Sequence, residues 1–411
     1  MTPAPSPVHG AAPARTRLPR AFWLLWAGTF VNRVGTFVAP YLILYLTRER
    51  HIDPVVAGLL LTLQGCGLVV SNLVGGALAD RCGRRPTIIA GLGATAVTLL
   101  VLAVARSAWQ LAVALLVLGV VTDLHRPALN AVIADLLPPE VRARAYSLLH
   151  WAVNLGMPVA VLVGGVLSEH GFWLLFAGDA FTTGTFAALV WRFLPEAGGA
   201  STRLGPAALR LPRVVSPRPA LVTFAAVSFV AFLVYFQNWT TVPLAVIDAG
   251  LTNADYGAVM AINGVVVAGV QPAVAGALDR GPRSALLAGS YLLVGVGFGL
   301  TALAGSLPAF AVTVVLWSLG EIGLAALGPA FVADLAPAHL RGRYLGVYGA
   351  AVAAGAAAAP LAGTAVYRAD PGLLWAVCGG AGVLMAATQV VLGRITARGA
   401  GRGGQVSEEG A

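Results

Sequence analysis

Charge is what this sequence has least of. Of its 411 residues 10% are charged and 58% hydrophobic, and the mean hydropathy is +0.82. A soluble domain carries roughly 25% charged and about 45–50% apolar residues. So few charges cannot cover a globule of this size, which excludes a water-soluble fold and makes lipid the solvent for most of the surface. Lysine is missing altogether: all 26 basic residues are arginine, and the net charge is +9. The arginines lie scattered between apolar runs, and without a continuous basic face nucleic-acid binding is not expected. Cysteine is scarce. Cys66 and Cys378 fall in apolar runs and Cys82 in a basic loop, so no disulfide framework emerges. No nucleophile elbow, metal-ligand cluster or phosphate-cradling loop occurs. Enzyme chemistry, a metal and a cofactor are therefore not expected, and any uphill work would draw on an ion gradient, with protons as the leading choice.

What is present is apolar length, repeated. A helix needs about 20 mostly apolar residues to cross a bilayer. Such windows fall near 21–47, 55–79, 86–106, 109–136, 144–168 and 171–194, and again near 219–246, 254–278, 283–305, 308–335, 342–367 and 371–394. The pattern predicts an all-α membrane protein with twelve transmembrane helices in two pseudo-symmetric six-helix bundles, 21–194 and 219–394. A disordered tail is expected over 1–20, a proline- and arginine-rich linker over 195–218 and a second tail over 395–411. Basic residues concentrate on the cytoplasmic side of membranes. With the N-terminus inside, twenty arginines lie on that side and four, Arg48, Arg50, Arg106 and Arg368, lie outside. Both termini and the linker are thus expected in the cytoplasm, with the chain in a bacterial cell (inner) membrane. The lipid bilayer is then its main surroundings, and nothing calls for a second copy, so a monomer is expected.

The two bundles are related. Asp80-Arg81 recurs as Asp279-Arg280, and Asp135, Pro138, Arg142 and Arg144 recur as Asp334, Pro337, Arg341 and Arg343, all at an offset of 199 residues. Gly156 and Gly164 return as Gly355 and Gly363 at the same offset. Internal duplication explains the common spacing, and repeated six-helix halves are a transporter architecture with the substrate path between them.

The most specific motif is the loop between the second and third helices, Gly76-Ala77-Leu78-Ala79-Asp80-Arg81-Cys82-Gly83-Arg84-Arg85. Its glycines permit tight turns beside packed helices, and Asp80 can accept from a helix N-terminus or pair with an arginine. This loop resembles the cytoplasmic signature of the major facilitator superfamily, and topology, half-repeat and linker agree over about residues 20–395. The resemblance implies the twelve-helix fold of that superfamily and its drug/proton antiporter-like branch. It also implies a conformational latch in which Asp80 and Arg84 hold the halves together and Asp135 partners the arginines. Arg81, Arg85, Asp279, Arg280 and Asp334 belong to the same candidate set. The alternative is that these arginines only fix topology and bind lipid headgroups. In the fifth helix the exporter signature is blurred: Gly156 and Gly164-Gly165 are kept, but Ala160-Val161 stands where Gly-Pro is usual. In the fourth, Leu115 occupies the position where the family often has arginine.

Ionisable residues inside spans are costly and point to function. Arg33 lies in the first helix, Asp123 and Arg126 in the fourth at an i, i+3 spacing that permits pairing, Asp179 in the sixth and Glu321 in the tenth. By resemblance, helices one, four, seven and ten line the central cavity. Glu321, with no arginine on its own helix, is the first candidate proton carrier and Asp123 the second. Arg33 is open between a substrate anion and Asp123, and His125 between a proton relay and a hydrogen-bonded spacer. Asp179 is expected to be structural. Gln237, Asn238 and Trp239 from the seventh helix and Trp317 from the tenth are substrate-cavity candidates. Trp317, Trp239, Tyr41 and Phe37 could stack on a flat substrate, although each suits packing equally.

The leading expectation is a secondary active transporter exporting a small, amphipathic or drug-like molecule in exchange for protons by alternating access. A proton-independent facilitator or importer of a metabolite is the alternative, followed by a non-transporting receptor or scaffold.

Overall fold

The computed structural model describes residues 18–194, 219–337 and 340–408. The expected linker 195–218 and nearly all of the expected tail 1–20 lie outside the described residues. Twelve helices are long and apolar enough to span a bilayer. They are α1 Arg20–Glu49, α2 Pro54–Cys82, α3 Arg84–Val104, α4 Ala108–Leu136, α5 Arg144–His170, α6 Phe172–Phe193, α7 Pro219–Trp239, α8 Asn253–Val274, α9 Arg283–Leu303, α10 Leu307–Leu335, α11 Arg341–Ala369 and α12 Pro371–Thr396. The backbone of α12 continues as helix to Glu408, past the start of the tail expected from 395.

The ends opposite the termini are capped by side chains. Asp53 accepts from the Val55 N–H at 2.9 Å, with Pro54 in the first turn of α2. Thr252 and Asp255 exchange reciprocal hydrogen bonds at the start of α8. Within the spans, hydroxyls donate back to the carbonyl four residues earlier, as Thr95 to Gly91, Ser228 to Phe224 and Ser290 to Leu286. Such bonds satisfy polar groups at a depth where water cannot.

Three spans are broken. In α1 a helix Arg20–Val34 gives way to a second segment beginning Val38–Leu44. In α4 the segments are Ala108–Thr122 and His125–Leu136. Beyond α7, a tight turn Phe236–Trp239 leads into a short helix Thr241–Asp248. Each second segment carries proline as its third residue, Pro40, Pro127 and Pro243. Proline has no N–H and its ring clashes with the carbonyl four residues back, so the chain breaks just before it.

Across the pseudo-twofold, α2 packs on α11 and α5 on α8. Among the described residues the halves meet from the side opposite the termini inward to Pro158 with Gly264 and Gly65 with Ala357. On that side Arg48 pairs with Asp248 at 2.8 Å and Arg368 with Asp53 at 3.2 Å. Glu169 accepts from the Ala254 N–H at 3.2 Å. Tyr41 sits edge-on to Tyr256 at 5.4 Å and donates to the Val161 carbonyl at 2.6 Å. The buried apolar side chains follow the same division. One cluster, including Leu25, Ile88, Val132 and Phe186, is confined to the terminus-side end of the first half. The other runs from the opposite end of that half into the second. Toward the terminus side there is open space around Gly76 of α2 and around Gly342 and Gly346 of α11.

Candidate functional site

Between the halves, in front of α10, lies a cavity of about 150 Å³. Asn154 and Met157 come to it from α5, Asn238 and Trp239 from the α7 break, Met260 and Asn263 from α8, and Glu321 from α10. The Tyr235 hydroxyl donates to Glu321 Oε1 at 2.6 Å and Asn263 Nδ2 to Oε2 at 2.7 Å. Asn263 also donates to Ser318 Oγ at 2.9 Å. Both carboxylate oxygens are therefore held, each by a neutral donor, and among the described residues no cation contacts them. Behind Tyr235, Trp317 meets its ring edge-on at 6.0 Å and stacks on Phe298 at 5.4 Å. The chain thus places a carboxylate at the interface between halves, fixed in direction but not neutralised.

Two substrate-cavity candidates turn away from this space. Trp317 is 1% exposed and serves as packing behind Tyr235. Gln237 is fully buried. Its Nε2 donates to the Leu233 and Ala359 carbonyls at 3.0 and 3.1 Å, while its Oε1 accepts from Thr240 and Thr241. The break in α7 leaves backbone groups without helical partners, and Gln237 is consumed in tying that break to α11. Tyr41 and Phe37 are likewise buried, Tyr41 where the halves meet on the side opposite the termini. Asn238 and Trp239 do line the cavity.

The first half gathers its charges at the breaks in α1 and α4. Asp123 pairs with Arg126 at 3.0 Å, the i, i+3 pair expected. His125 Nδ1 lies 3.1 Å from the Thr122 carbonyl, within the same turn. Asp179 is buried and accepts from the Val38 N–H and the Thr183 hydroxyl, both at 3.4 Å, which caps the restarted segment of α1. Arg33 forms no hydrogen bond or ion pair among the described residues, and its Nε is buried without a partner. Its stem passes Gly156 of α5, where a Cβ would lie 2.9 Å from Arg33 Cγ. Close approach of α1, rather than a hinge, is what that glycine serves here.

At the signature loop, Gly83 adopts a φ of +90°, a conformation that L side chains rarely take, and lets the chain turn at once from α2 into α3. Arg84 pairs with Asp135 and also donates to the Ala131 carbonyl at 3.0 Å, joining α3 to the end of α4. Arg85 donates to the Trp191 carbonyl at the end of α6. Asp80 and Arg81 are exposed, and Asp80 has no partner among the described residues. In the second half Arg283 pairs with Asp334, the counterpart of Arg84 with Asp135. The side chains of Asp279 and Arg280 lie outside the described residues. In this conformation the loop's ion pairs hold each half together internally.

Tyr235, Asn263, Asn154 and Arg283 escaped the sequence reading. Arg283 stood 199 residues after Arg84, and Asn263 was an isolated amide in an apolar span. Nothing local marked Tyr235.

The chain resembles known proteins over nearly its whole length. It is 23% identical over 350 residues to a Na(+), Li(+), K(+)/H(+) antiporter of Planococcus maritimus, covering 77% of this chain and 82% of that one. It is 27% identical over 334 residues to the multidrug resistance protein MdtH of Cronobacter sakazakii, covering 79% and 80%. A crystal structure of the peptide transporter POT superposes with a TM-score of 0.76 at 20% identity, covering 92% of this chain and 95% of that one, which fixes the fold. The sequence profile of the Major Facilitator Superfamily matches residues 25–360 and 227–409. The chain is a multi-pass membrane transporter and belongs to the major facilitator superfamily.

Proposed function

We propose that this transporter exports a small amphipathic molecule across a bacterial cell membrane in exchange for protons. The observation that carries the proposal is Glu321, held by Tyr235 and Asn263 against a cavity between the halves, with no cation to neutralise it. A buried carboxylate of this kind is costly to keep charged in lipid. A proton or a cationic group of the substrate relieves that cost, and one displacing the other couples their movements. The arginine distribution supports cytoplasmic termini. On that orientation the halves are parted on the cytoplasmic side and closed outside, the inward-facing member of an alternating-access pair. The similarity to a cation/proton antiporter and a multidrug resistance protein supports the same direction of reading.

The test is flux in proteoliposomes. A screen of candidate substrates by thermal shift on the purified protein identifies ligands, and their movement is followed with and without an imposed pH gradient. Export-directed flux that grows with the gradient is expected. Flux that ignores the gradient overturns the antiport assignment and leaves the facilitator, a reading that the Ala160-Val161 departure in α5 favours.

A further inference from the structure

A second cavity, about 190 Å³ in volume, lies in the first half between α1, α4, α5 and α6, on the terminus side of the breaks. Its polar lining is Arg33, Arg126, His125, His150, Asn32 and Asn130. No carboxylate reaches it. The two acids nearby, Asp123 and Asp179, line a neighbouring space that shares Asn32, Arg33 and His125 with this one. Asp123 is tied to Arg126, and Asp179 uses its oxygens on Val38 and Thr183. Arg33 borders both spaces and is bonded to neither acid. The side chain of Arg126 is 54% exposed and that of Asp123 19%, so the guanidinium reaches into the open cavity while its partner stays behind. A guanidinium offers five donors in a planar fork suited to an oxyanion. Arg33 is half-buried, with its Nε buried and none of its donors used among the described residues, which is expensive unless a ligand supplies the acceptor. Thr29, which also lines this cavity, likewise has a buried hydroxyl with no partner.

We infer that this cavity is a binding subsite for an acid group carried by the transported molecule, with Arg33 and Arg126 as its two anchors. The subsite adjoins the Glu321 cavity along one face of α5. His150 and Val153 line the first, and Asn154 and Met157, within a turn of them, line the second. A ligand gripped by its acid group in the first half can therefore extend its apolar body toward Glu321 in the second. Such a molecule touches both halves and can bias their relative position. The inference rests on the transport reading for its substrate, but its test reads binding and stands apart from proton coupling.

The probes are matched acids and amides, benzoate with benzamide and 2-naphthoate with 2-naphthamide, titrated by thermal shift and calorimetry onto the purified full chain in a neutral detergent. The acid of each pair is expected to bind at least tenfold more tightly than its amide. Arg33→Gln and, separately, the exposed Arg126→Gln should each remove most of that preference, by weakening the acid far more than the amide. Arg33→Lys should restore part of it, because lysine keeps the charge and loses the fork. Equal binding of acid and amide, or an acid preference that survives both glutamine variants, overturns the inference. It is equally overturned if inorganic phosphate, or phosphatidylglycerol added to the detergent, displaces 2-naphthoate from this site at a comparable or lower concentration, since the site then serves a simple anion or a lipid headgroup. Acid selectivity that depends on Arg33, found together with gradient-independent flux, would sustain this site and refute only the proton antiport.

Discussion

The Arg48–Asp248 pair spans the outer closure and can be removed without touching either cavity. Arg48 ends α1 and Asp248 ends the helix following α7, with 2.8 Å between them and side chains 51% and 50% exposed. An exposed pair of this kind contributes about 0.2–1 kcal/mol. With RT near 0.59 kcal/mol, Arg48→Ser should shift the ratio of outer-closed to outer-open molecules by up to about fivefold toward opening. The Tyr367 hydroxyl still holds Asp248 at 2.9 Å in that variant, so the helix end itself stays in place. Spin labels at Glu49→Cys and Ala249→Cys, in a background lacking Cys66, Cys82 and Cys378, report the outer gap by pulsed dipolar spectroscopy. The variant should enlarge the long-distance population, and the Arg48→Asp/Asp248→Arg exchange should return it toward the parent. Salt at 1 M, where the screening length is about 3 Å, should open the parent more than the variant. An unchanged distance distribution in the variant, or an exchange that opens the gap further, refutes the assignment of this pair to closure.

Three further outcomes follow from the same geometry. The Val55 N–H and then the Arg368 guanidinium hold the Asp53 carboxyl below its ordinary range; a depressed value means that the contact is present above the ordinary carboxylate range and is lost as pH falls through the lowered one. Spin-label distances across this contact should therefore be constant between about pH 8 and 5 and lengthen only below about pH 4, whereas Asp53→Asn should lengthen them at every pH. Gln237→Ala strips the Ala359 carbonyl and the Thr241 hydroxyl of a buried partner, which costs about 1–3 kcal/mol; the thermal midpoint should drop while ligand affinity is kept, in contrast to Trp239→Ala, which lines the cavity and should weaken binding. Tyr235→Phe removes one of the two donors to Glu321, a bond to a charged group worth about 1.5–3 kcal/mol, so gradient-driven flux should fall roughly tenfold or more in a protein that still binds substrate.

The division into spans and halves was legible because lipid enforces it: twenty apolar residues per crossing, arginines at one surface, and landmarks repeating at 199 residues. The latch arginines were legible in part. Asp135 was expected to partner the arginines and pairs with Arg84, but the expected hold of Asp80 and Arg84 between the halves is not made in this conformation, and Arg283 went unread beside Asp334 although the same offset pointed to it. The breaks in α1, α4 and α7 fall beside Pro40, Pro127 and Pro243, but Pro158, Pro272, Pro329 and Pro360 sit inside continuous helices, so proline alone did not mark them and hydropathy runs smoothly through. The surroundings of Glu321 were not legible. Tyr235 and Asn263 lie 86 and 58 residues from it in sequence and meet it only through the packing of α7, α8 and α10. For the same reason Gln237 and Trp317 looked like cavity residues: a polar or aromatic side chain on the right helix has no sequence mark saying which way it turns. Arg33 shows the converse. Sequence left it open between Asp123 and a ligand, and the structure spends Asp123 on Arg126.

The central claim is that proton coupling passes through Glu321, and it is tested most directly by comparing two transport modes in proteoliposomes bearing Glu321→Gln. Glutamine keeps the shape of the side chain and removes its proton. The account predicts that accumulation driven by a pH gradient is abolished while exchange of substrate for substrate, which needs no net proton movement, continues at a rate near that of the parent. Gradient-driven accumulation undiminished in the variant would contradict it.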